Sequence, residues 1–190
     1  MQAEPIRLAA RRYIERFLTR PRPPPESERV LLTVLFTDIV GSTSIAVEIG
    51  DHRWKELLQR HDDAVRAELR RFEGTEVRNT GDGFFAAFKG PTMAIRCAVA
   101  IGQCTEILGL RLRIAVHAGE CERRGRDLSG IAVHLASRLL AHAGSGDVVV
   151  SRTVKDLVAG SGIGFEERGE ATLRDIPGTW QLFSVRTGAG

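Results

Sequence analysis

The sequence VLLTVLFTDIVGST, residues 30–43, joins an apolar run to an acidic residue and then to a turn of glycine and hydroxyl side chains. Its first seven residues are typical of a buried strand, because the run is short, apolar and rich in β-branched residues. Asp38 ends that strand, where a carboxylate is costly unless a cation or hydrogen-bond donors receive it. Gly41, Ser42 and Thr43 then lead into a helix, whose free backbone N–H groups suit a phosphate. The stretch therefore predicts a carboxylate and a phosphate-binding turn at one edge of a sheet.

A second carboxylate, Asp82, lies in the turn-forming tetrapeptide TGDG at residues 80–83. The flanking segments 76–79 and 84–88 have strand character, so the region predicts a β-hairpin. If the first strand lies beside this hairpin, Asp38 and Asp82 project at one edge, where such oxygen ligands hold Mg²⁺ or Mn²⁺. Two plainer interpretations stay open, in which Asp38 is only a helix N-cap and Asp82 only a turn former.

Further helices and strands alternate along the rest of the chain. The pattern predicts a helix with a Gly50-Asp51 break to about residue 72, a helix over 90–108, a strand over 110–117, a helix over 129–143, a strand over 147–150, a helix over 151–158, and strands near 165–173 and 180–185. The order βαββαβ with a C-terminal αβαββ extension indicates an α+β fold with a ferredoxin-like core and a mixed, mainly antiparallel sheet.

The composition sets outer limits on the kind of protein. With 190 residues and a net charge of +3, the chain has room for one domain and an extension of roughly 40 residues. Its dispersed charge gives little support to nucleic-acid binding, and no apolar run approaches the ~20 residues of a membrane helix. Three cysteines without zinc spacing and no apolar signal core predict a cytoplasmic location. Six residues are assigned to packing: Trp54, Cys97, Cys104, His117, Cys121 and Trp180.

The N-terminal segment differs in character from the rest of the chain. Residues 2–19 carry apolar side chains among arginines at roughly helical spacing, and residues 20–25 read RPRPPP. We predict a helix and a stiff proline-rich linker over residues 1–28, followed by one domain over residues 29–186. The helix is interpreted as the tail of an upstream domain or as a dimer contact, so the chain is predicted to be a fragment of a longer protein.

Three blocks of the sequence resemble the signature motifs of class III adenylyl and guanylyl cyclases: FTDIVGST at 36–43, NTGDG at 79–83 and DLSGIAVHLASR at 127–138. The resemblance covers about residues 29–186. More narrowly, the chain is similar to the cyclase domains of mycobacterial and related actinobacterial proteins, including those fused behind an α/β-hydrolase domain. The resemblance implies the class III cyclase fold and an adenylate cyclase that makes 3′,5′-cyclic AMP and pyrophosphate from ATP in intracellular signalling.

The resemblance also implies a catalytic role for particular residues. Two Mg²⁺ or Mn²⁺ ions would be held by Asp38, Asp82 and the Ile39 carbonyl, activating the ribose 3′-hydroxyl and neutralising the departing pyrophosphate. Arg138 matches the family's arginine that stabilises the pentacoordinate phosphate. The alternative for Arg138 is a solvated arginine on a helix.

His134 stands where the family usually has an asparagine that orients the ribose, and at i and i+4 it shares a helix face with Arg138. An imidazole can donate one hydrogen bond as an amide does, yet histidine changes charge near physiological pH. Activity is therefore expected to fall at acidic pH if His134 must be neutral. The alternative is a packing histidine.

The base-selecting pair of adenylyl cyclases, a lysine and an aspartate, is matched here by Arg78 and Asp127. The Asp127 carboxylate favours ATP, because it accepts from the adenine amine, whereas Arg78 has a planar fork that could also meet guanine and relax the selectivity. For Arg78 the alternative is a cross-strand ion pair on the hairpin. Arg174, near the last hairpin, is the nearest match to the family's triphosphate-binding cation.

In this family each site lies across a dimer interface, so the resemblance implies a head-to-tail homodimer with two equivalent sites. Two other functions stay open. One is a catalytically weak or inactive nucleotide-sensing domain, in which Arg78 and His134 have drifted from the family pattern. The other is a palm-type nucleotidyl transferase, which shares the use of two aspartates but gives no reason for Asp127 and Arg138.

Overall fold

The structure, a computed structural model, describes residues 27–186; the predicted N-terminal helix and most of the linker lie outside them. The strands are β1 (Glu28–Ile39), β2 (Thr75–Asn79), β3 (Phe84–Phe88), β4 (Leu112–Arg124), β5 (Asp127–Ser129), β6 (Val148–Ser151), β7 (Phe165–Leu173) and β8 (Ile176–Val185). The helices are α1 (Ser42–Ile49), α2 (Asp51–Arg71), α3 (Pro91–Glu106), α4 (Ile131–Leu139), which a short 3-10 turn (Leu140–His142) extends, and α5 (Arg152–Leu157).

The strands form one sheet in the order β2-β3-β1-β4-β6-β8-β7, with β5 paired to β4. Among the described residues only the β4–β6 pairing is parallel. Strands β1 to β4 with helices α1 to α3 make the βαββαβ core, and the later elements extend the sheet beyond β4. The predicted α+β architecture with a mainly antiparallel sheet is confirmed.

The largest difference from the sequence-based prediction concerns β4. The predicted strand stopped at residue 117, but β4 continues to Arg124 and turns at Gly125 into β5. Its second half pairs with the start of β1, with Cys121 opposite Val30. This half is rich in charged residues, so its sequence has little strand character, and a distant partner supplies its hydrogen bonds. The following helix accordingly begins two residues later than predicted, at Ile131.

The two faces of the sheet are covered unequally. Helices α2 and α3 bury one face, where Leu35, Phe84 and Ile114 belong to the main core. On the other face α4 packs over Cys121 and Leu128, and several apolar side chains there stay half-buried: Val30, Leu32, Phe36 and Val77. Strand alternation explains the division, because successive side chains of β1 point to opposite faces. The six residues assigned to packing agree with the structure, since each is at least half-buried and none lies at the site described below.

Close backbone contact fixes the hairpin against β1. A Cβ atom added at Gly83 would lie 2.1 Å from the Thr37 carbonyl oxygen, so only glycine fits there. Next to it, the Phe84 backbone N–H donates to the Thr37 Oγ1 hydroxyl at 2.9 Å. These contacts hold the end of β1 and the hairpin turn in a fixed position relative to each other.

Gly83→Ala is expected to lower the free energy of unfolding by about 2–3 kcal/mol, because neither backbone segment can move without breaking sheet hydrogen bonds. Gly102→Ala is the matched control: its added Cβ would meet only Ile114 Cδ1 at 4.0 Å. In the middle of α3 this change should stabilise the fold by roughly 0.5–1 kcal/mol. Urea unfolding of both variants measures the effect. Equal stabilities of the two variants would contradict the close contact.

His117 makes the fold sensitive to acid. It is buried, its Nδ1 lies 2.7 Å from Ser151 Oγ, and burial lowers the pKa of His117 from 6.5 to about 4. As the pH falls below 6.5, His117 binds a proton in the unfolded chain but stays neutral in the folded chain. The free energy of unfolding should therefore fall by about 1.4 kcal/mol per pH unit between pH 6.5 and 4. His117→Gln, which keeps a donor for Ser151, should make this slope shallower in urea titrations; an unchanged slope would exclude His117 as its source.

Candidate active site

Asp38 lies at the end of β1, opposite Arg113 of β4 in the antiparallel register. The two side chains form an ion pair, and the Asp38 carboxylate is 25% exposed. Gly41, three residues later, occupies the N-cap position of α1, so the interpretation of Asp38 as a helix N-cap is wrong. A guanidinium against Asp38 indicates that this carboxylate is oriented to receive positive charge.

Sequence reasoning missed Arg113. The segment 110–117 contains Arg111 and Arg113 in equivalent alternating positions, and nothing local distinguishes them. The only available signal was the pairing of β1 with β4, because that register sets Arg113 across from Asp38. Arg111 instead pairs with Glu106 at 2.9 Å.

Asp82 lies at the same edge, as predicted. Its backbone carbonyl accepts from the Ile39 N–H at 3.0 Å, and its Oδ2 accepts from the Ser42 hydroxyl at 2.8 Å. Asp82 also helps to form the turn, since Thr80 N donates to the Gly83 carbonyl across it. The two carboxylates thus belong to backbone segments that are hydrogen-bonded to each other.

The donor set at this edge fits a divalent cation that is shared with a phosphate ligand. Within residues 27–186 no group of three or more His, Cys, Asp or Glu side chains could enclose a metal ion. Two carboxylates suit Mg²⁺, which keeps several waters and is usually bound by one or two carboxylates plus substrate phosphates. Asp38, Asp82 and the Ile39 carbonyl are the residues that would hold such ions.

The turn after Asp38 has the geometry of a phosphate-binding turn. Gly41 adopts φ 68°, and no side chain caps the start of α1. A Cβ at Gly41 would meet nothing within 4 Å, so the space in front of the turn is open. The first N–H groups of α1, from Ser42 and Thr43 onward, are available to an anion.

Arg78 and Asp127 come together although 49 residues separate them: Arg78 Nη2 lies 3.1 Å from Asp127 Oδ1. The partner of Arg78 is on β5, so the interpretation as an ion pair within the hairpin is wrong. Beside the pair lies a cavity of about 650 Å³ on the half-covered face of the sheet. Its lining includes the apolar Val77 and Leu128, the chain neighbours of the pair. It also includes five charged residues: Glu73, Glu76, Lys89, Arg123 and Arg126.

Arg138 and Arg174 also meet. Arg138 Nε donates to the Arg174 carbonyl at 3.3 Å, and both guanidinium groups approach the Asp175 carboxylate, at 3.6 and 3.4 Å. Asp175, which sequence reasoning did not single out, has φ 63° in the β7–β8 turn. His134, one turn before Arg138 on α4, is exposed, so the interpretation as a packing histidine is wrong.

The two groups of residues lie in different parts of the sheet. Asp38 and Asp82 belong to β1 and the β2–β3 turn, whereas Arg138 and Arg174 meet at the β7–β8 turn. Three strand steps lead from β1 to β8, or about 14 Å at the usual strand spacing. One chain therefore does not bring the carboxylates and these arginines into one constellation.

Comparison with known proteins identifies the fold family. Residues 25–186 match the family model of the adenylate and guanylate cyclase catalytic domain. The chain belongs to this family. The class III cyclase resemblance is thereby confirmed, and the domain is a nucleotide cyclase catalytic domain.

Among curated relatives of this cyclase domain, an uncharacterized protein of Mycobacterium tuberculosis is 30% identical over 159 residues, covering 77% of this chain and 52% of the relative. A putative adenylate cyclase 3 of Rhizobium meliloti is 26% identical over 157 residues, covering 78% of this chain and 27% of the relative. The chain thus spans about half the length, or less, of these two relatives.

Solved structures share the cyclase fold. The adenylyl cyclase CyaB from P. aeruginosa superimposes with a TM-score of 0.80 at 22% identity, over 85% of this chain and 96% of that one. An adenylate/guanylate cyclase/hydrolase from Silicibacter pomeroyi superimposes with a TM-score of 0.74 at 24% identity, over 84% of this chain and 98% of that one.

Among the helices of residues 27–186, none combines the length and the apolar character that crossing a membrane requires.

Proposed function

We propose that this cyclase domain is an adenylate cyclase that converts ATP to 3′,5′-cyclic AMP and pyrophosphate in intracellular signalling. The observation that carries the proposal is the shared edge of Asp38 and Asp82, tied by the Ile39 N–H to Asp82 carbonyl bond of 3.0 Å. In the reaction the ribose 3′-oxygen attacks the α-phosphorus, and the bond between that phosphorus and the oxygen that bridges to the β-phosphate breaks. Pyrophosphate leaves with the bridging oxygen, and the hydroxyl proton passes to solvent. Bound Mg²⁺ or Mn²⁺, two per site, supplies activation of the hydroxyl and neutralisation of the pyrophosphate.

The residues around these carboxylates would bind the phosphates. The open turn of Gly41, Ser42 and Thr43 offers backbone N–H groups to a phosphate oxygen. Arg113, paired with Asp38 in the free protein, supplies a further cation beside them. With divalent ions bound at Asp38, the Arg113 guanidinium would be available to bind the triphosphate.

Selection of adenine is assigned to Arg78 and Asp127. The Asp127 carboxylate can accept a hydrogen bond from the adenine amine but repels the guanine carbonyl, so it favours ATP. Val77 and Leu128, in the lining of the adjoining cavity, offer apolar contact to the face of a base. Because the fork of Arg78 can also donate to guanine, relaxed ATP/GTP selectivity is the nearest variant of this proposal.

A head-to-tail homodimer would complete each site. Asp38 and Asp82 of one chain would face the other chain's nucleotide-binding residues, which are Arg78, Asp127, His134, Arg138 and Arg174. There His134 would orient the ribose and Arg138 would stabilise the pentacoordinate phosphate. Arg174 would bind the triphosphate. Two observations support the dimer. In a single chain the carboxylates of Asp38 and Asp82 lie far from Arg138 and Arg174, and the half-covered sheet face is a surface that a second chain could bury.

A second candidate is a nucleotide-sensing domain without appreciable turnover. Its support is the ion pair of 3.1 Å between Arg78 and Asp127. In this pair the two base-selecting side chains bind each other and not a base. Such a domain would bind nucleotide without making a cyclic product.

Product analysis separates these functions. With ATP and GTP side by side, in Mg²⁺ and in Mn²⁺, we expect cyclic AMP as the main product. Asp82→Asn should lower the rate by roughly 100-fold or more, because the amide lacks the charge that holds the ions. Asp63→Asn, an exposed carboxylate on α2, is the control with unchanged rate. Nucleotide binding without any cyclic product would favour the sensing domain, and full activity of Asp82→Asn would contradict the site.

Mixing Asp38→Ala with Arg138→Ala chains tests the shared site. Each variant alone should be inactive. Random pairing gives half heterodimers, each with one intact site of two, so activity should return to about a quarter of that of the unmodified protein. Sedimentation equilibrium checks that dimers form in the mixture. Dimers without rescued activity would contradict a site built from two chains.

A further inference from the structure

A chain of hydrogen bonds links α2 to the turn that carries Asp82. Asn79 is its central member: its Nδ2 donates to Asp62 Oδ2 at 2.6 Å, and its Oδ1 accepts from the Gly81 backbone N–H at 2.7 Å. Asp62 lies in the middle of α2, and its side chain is 20% exposed. One amide side chain therefore ties the turn, at the residue before Asp82, to a rigid helix.

The Asp62 carboxylate has its own fixed position. His61 Nδ1 lies 3.2 Å from Asp62 Oδ1, and Arg66 Nη1 lies 3.4 Å from Oδ2. Burial lowers the pKa of His61, which favours the neutral ring. Because a carboxylate only accepts hydrogen bonds, His61 Nδ1 acts as the donor in this contact. Arg66 is held in turn by two hydrogen bonds to Glu76, at 2.8 and 3.1 Å. Because donors contact both oxygens of the Asp62 carboxylate, its side chain is held in one orientation. In that orientation Oδ2 faces the Asn79 amide.

The Asp82 turn needs such a restraint. Asp82 stands between two glycines, and Gly81 adopts φ 100°, which residues with a side chain rarely reach. Glycine has the largest conformational freedom to lose, so the flanked carboxylate would otherwise sample many positions. The Ile39 bond fixes its backbone carbonyl, and the Ser42 hydroxyl contacts one carboxylate oxygen. The Asn79 side chain holds the Gly81 N–H, which belongs to the peptide bond between Thr80 and Gly81.

We propose that Asp62 and Asn79 are positioning residues that set the affinity of the Asp82 carboxylate for divalent cations. The inference rests on the proposed function, because it takes Asp82 as a metal ligand. Neither side chain needs to touch the ion. Residues that orient a ligand in this way typically change metal affinity 10–100-fold when they are removed.

The chain offers a matched control beside Asp62. Asp63 has the same charge on the same helix, but its carboxylate contacts only the Gln59 amide among the described residues, at 3.3 and 3.4 Å. Replacing Asp63 therefore changes the net charge as replacing Asp62 does, without touching the hydrogen-bond chain.

The test measures Mn²⁺ binding by the electron spin resonance signal of free Mn²⁺, with the full chain and no nucleotide. Asp62→Ala and Asn79→Ala should each weaken binding about tenfold. Asp63→Ala should bind like the unmodified protein. In the metal-free protein, hydrogen exchange of the Gly81 amide should speed up in the first two variants and not in the third. Unchanged Mn²⁺ affinity in both Asp62→Ala and Asn79→Ala would overturn the inference.

Exchanging donor and acceptor separates this role from general stability. Asn79→Asp alone sets two carboxylates against each other and should weaken Mn²⁺ binding at least as much as Asn79→Ala. In the double variant that combines Asn79→Asp with Asp62→Asn, the amide and the carboxylate exchange positions. The hydrogen bond between the two side chains can then form again, and an oxygen of residue 79 still accepts from the Gly81 N–H. Mn²⁺ affinity should then recover most of the loss. A double variant no better than the single one, at equal urea stability, would contradict the proposal.

Asp82→Asn separates failure of the inference from failure of the proposed function. If Asp82→Asn binds Mn²⁺ as the unmodified protein does, the metal assignment itself is wrong and the inference falls with it. If Asp82→Asn loses binding while Asp62→Ala and Asn79→Ala do not, only the positioning role is wrong.

Discussion

The antiparallel register of β1 with β4 and β3 is the constraint on which the site depends. Because strand side chains alternate between faces, a shift of one residue would turn Asp38 away from Arg113 and send the core side chain Leu35 to the half-covered face. The close packing of Gly83 on Thr37 excludes such a shift on the hairpin side. The same contacts that hold the sheet together therefore define where both carboxylates lie.

The sequence was informative where a feature depends on neighbouring residues. The apolar run before Asp38 and the TGDG turn predicted the strand, the hairpin and the shared edge of Asp38 and Asp82, because each is encoded within about ten residues. The second half of β4, the ion pair of Arg113 and the contacts of Asp175 were not predictable in this way. Each depends on which distant strand or turn is adjacent, and a single sequence does not specify that.

For the proposed function, the distribution of charged groups leaves one chain with two incomplete half-sites. Acidic groups and the open helix start lie near β1, whereas the α4 arginine meets the β7–β8 turn at the other side of the sheet. The proposed cyclisation needs both, since the carboxylates would hold the ions that position the phosphates, and a cation must stabilise the negative charge on the oxygens of the pentacoordinate phosphate. A two-fold pairing of identical chains satisfies this need twice without any additional residue, so the geometry of one chain argues for the dimer.

Asp82 accepts a hydrogen bond from the neutral Ser42 hydroxyl, whereas the other charged side chains proposed to meet the nucleotide or the ions form ion pairs within the chain. Asp38 contacts Arg113, Arg78 contacts Asp127, and Arg138 with Arg174 contacts Asp175. None of these pairs is fully buried, and exposed pairs of this kind are worth about 0–1 kcal/mol. The pairs therefore neutralise these charges within the chain, yet they cost little to exchange for phosphate, base or cation. Buried ion pairs would exchange less readily, because separating them leaves an unpaired charge that is shielded from water. In the proposed function, the partial exposure of these pairs would allow ligand binding, and the half-covered sheet face would allow dimer formation.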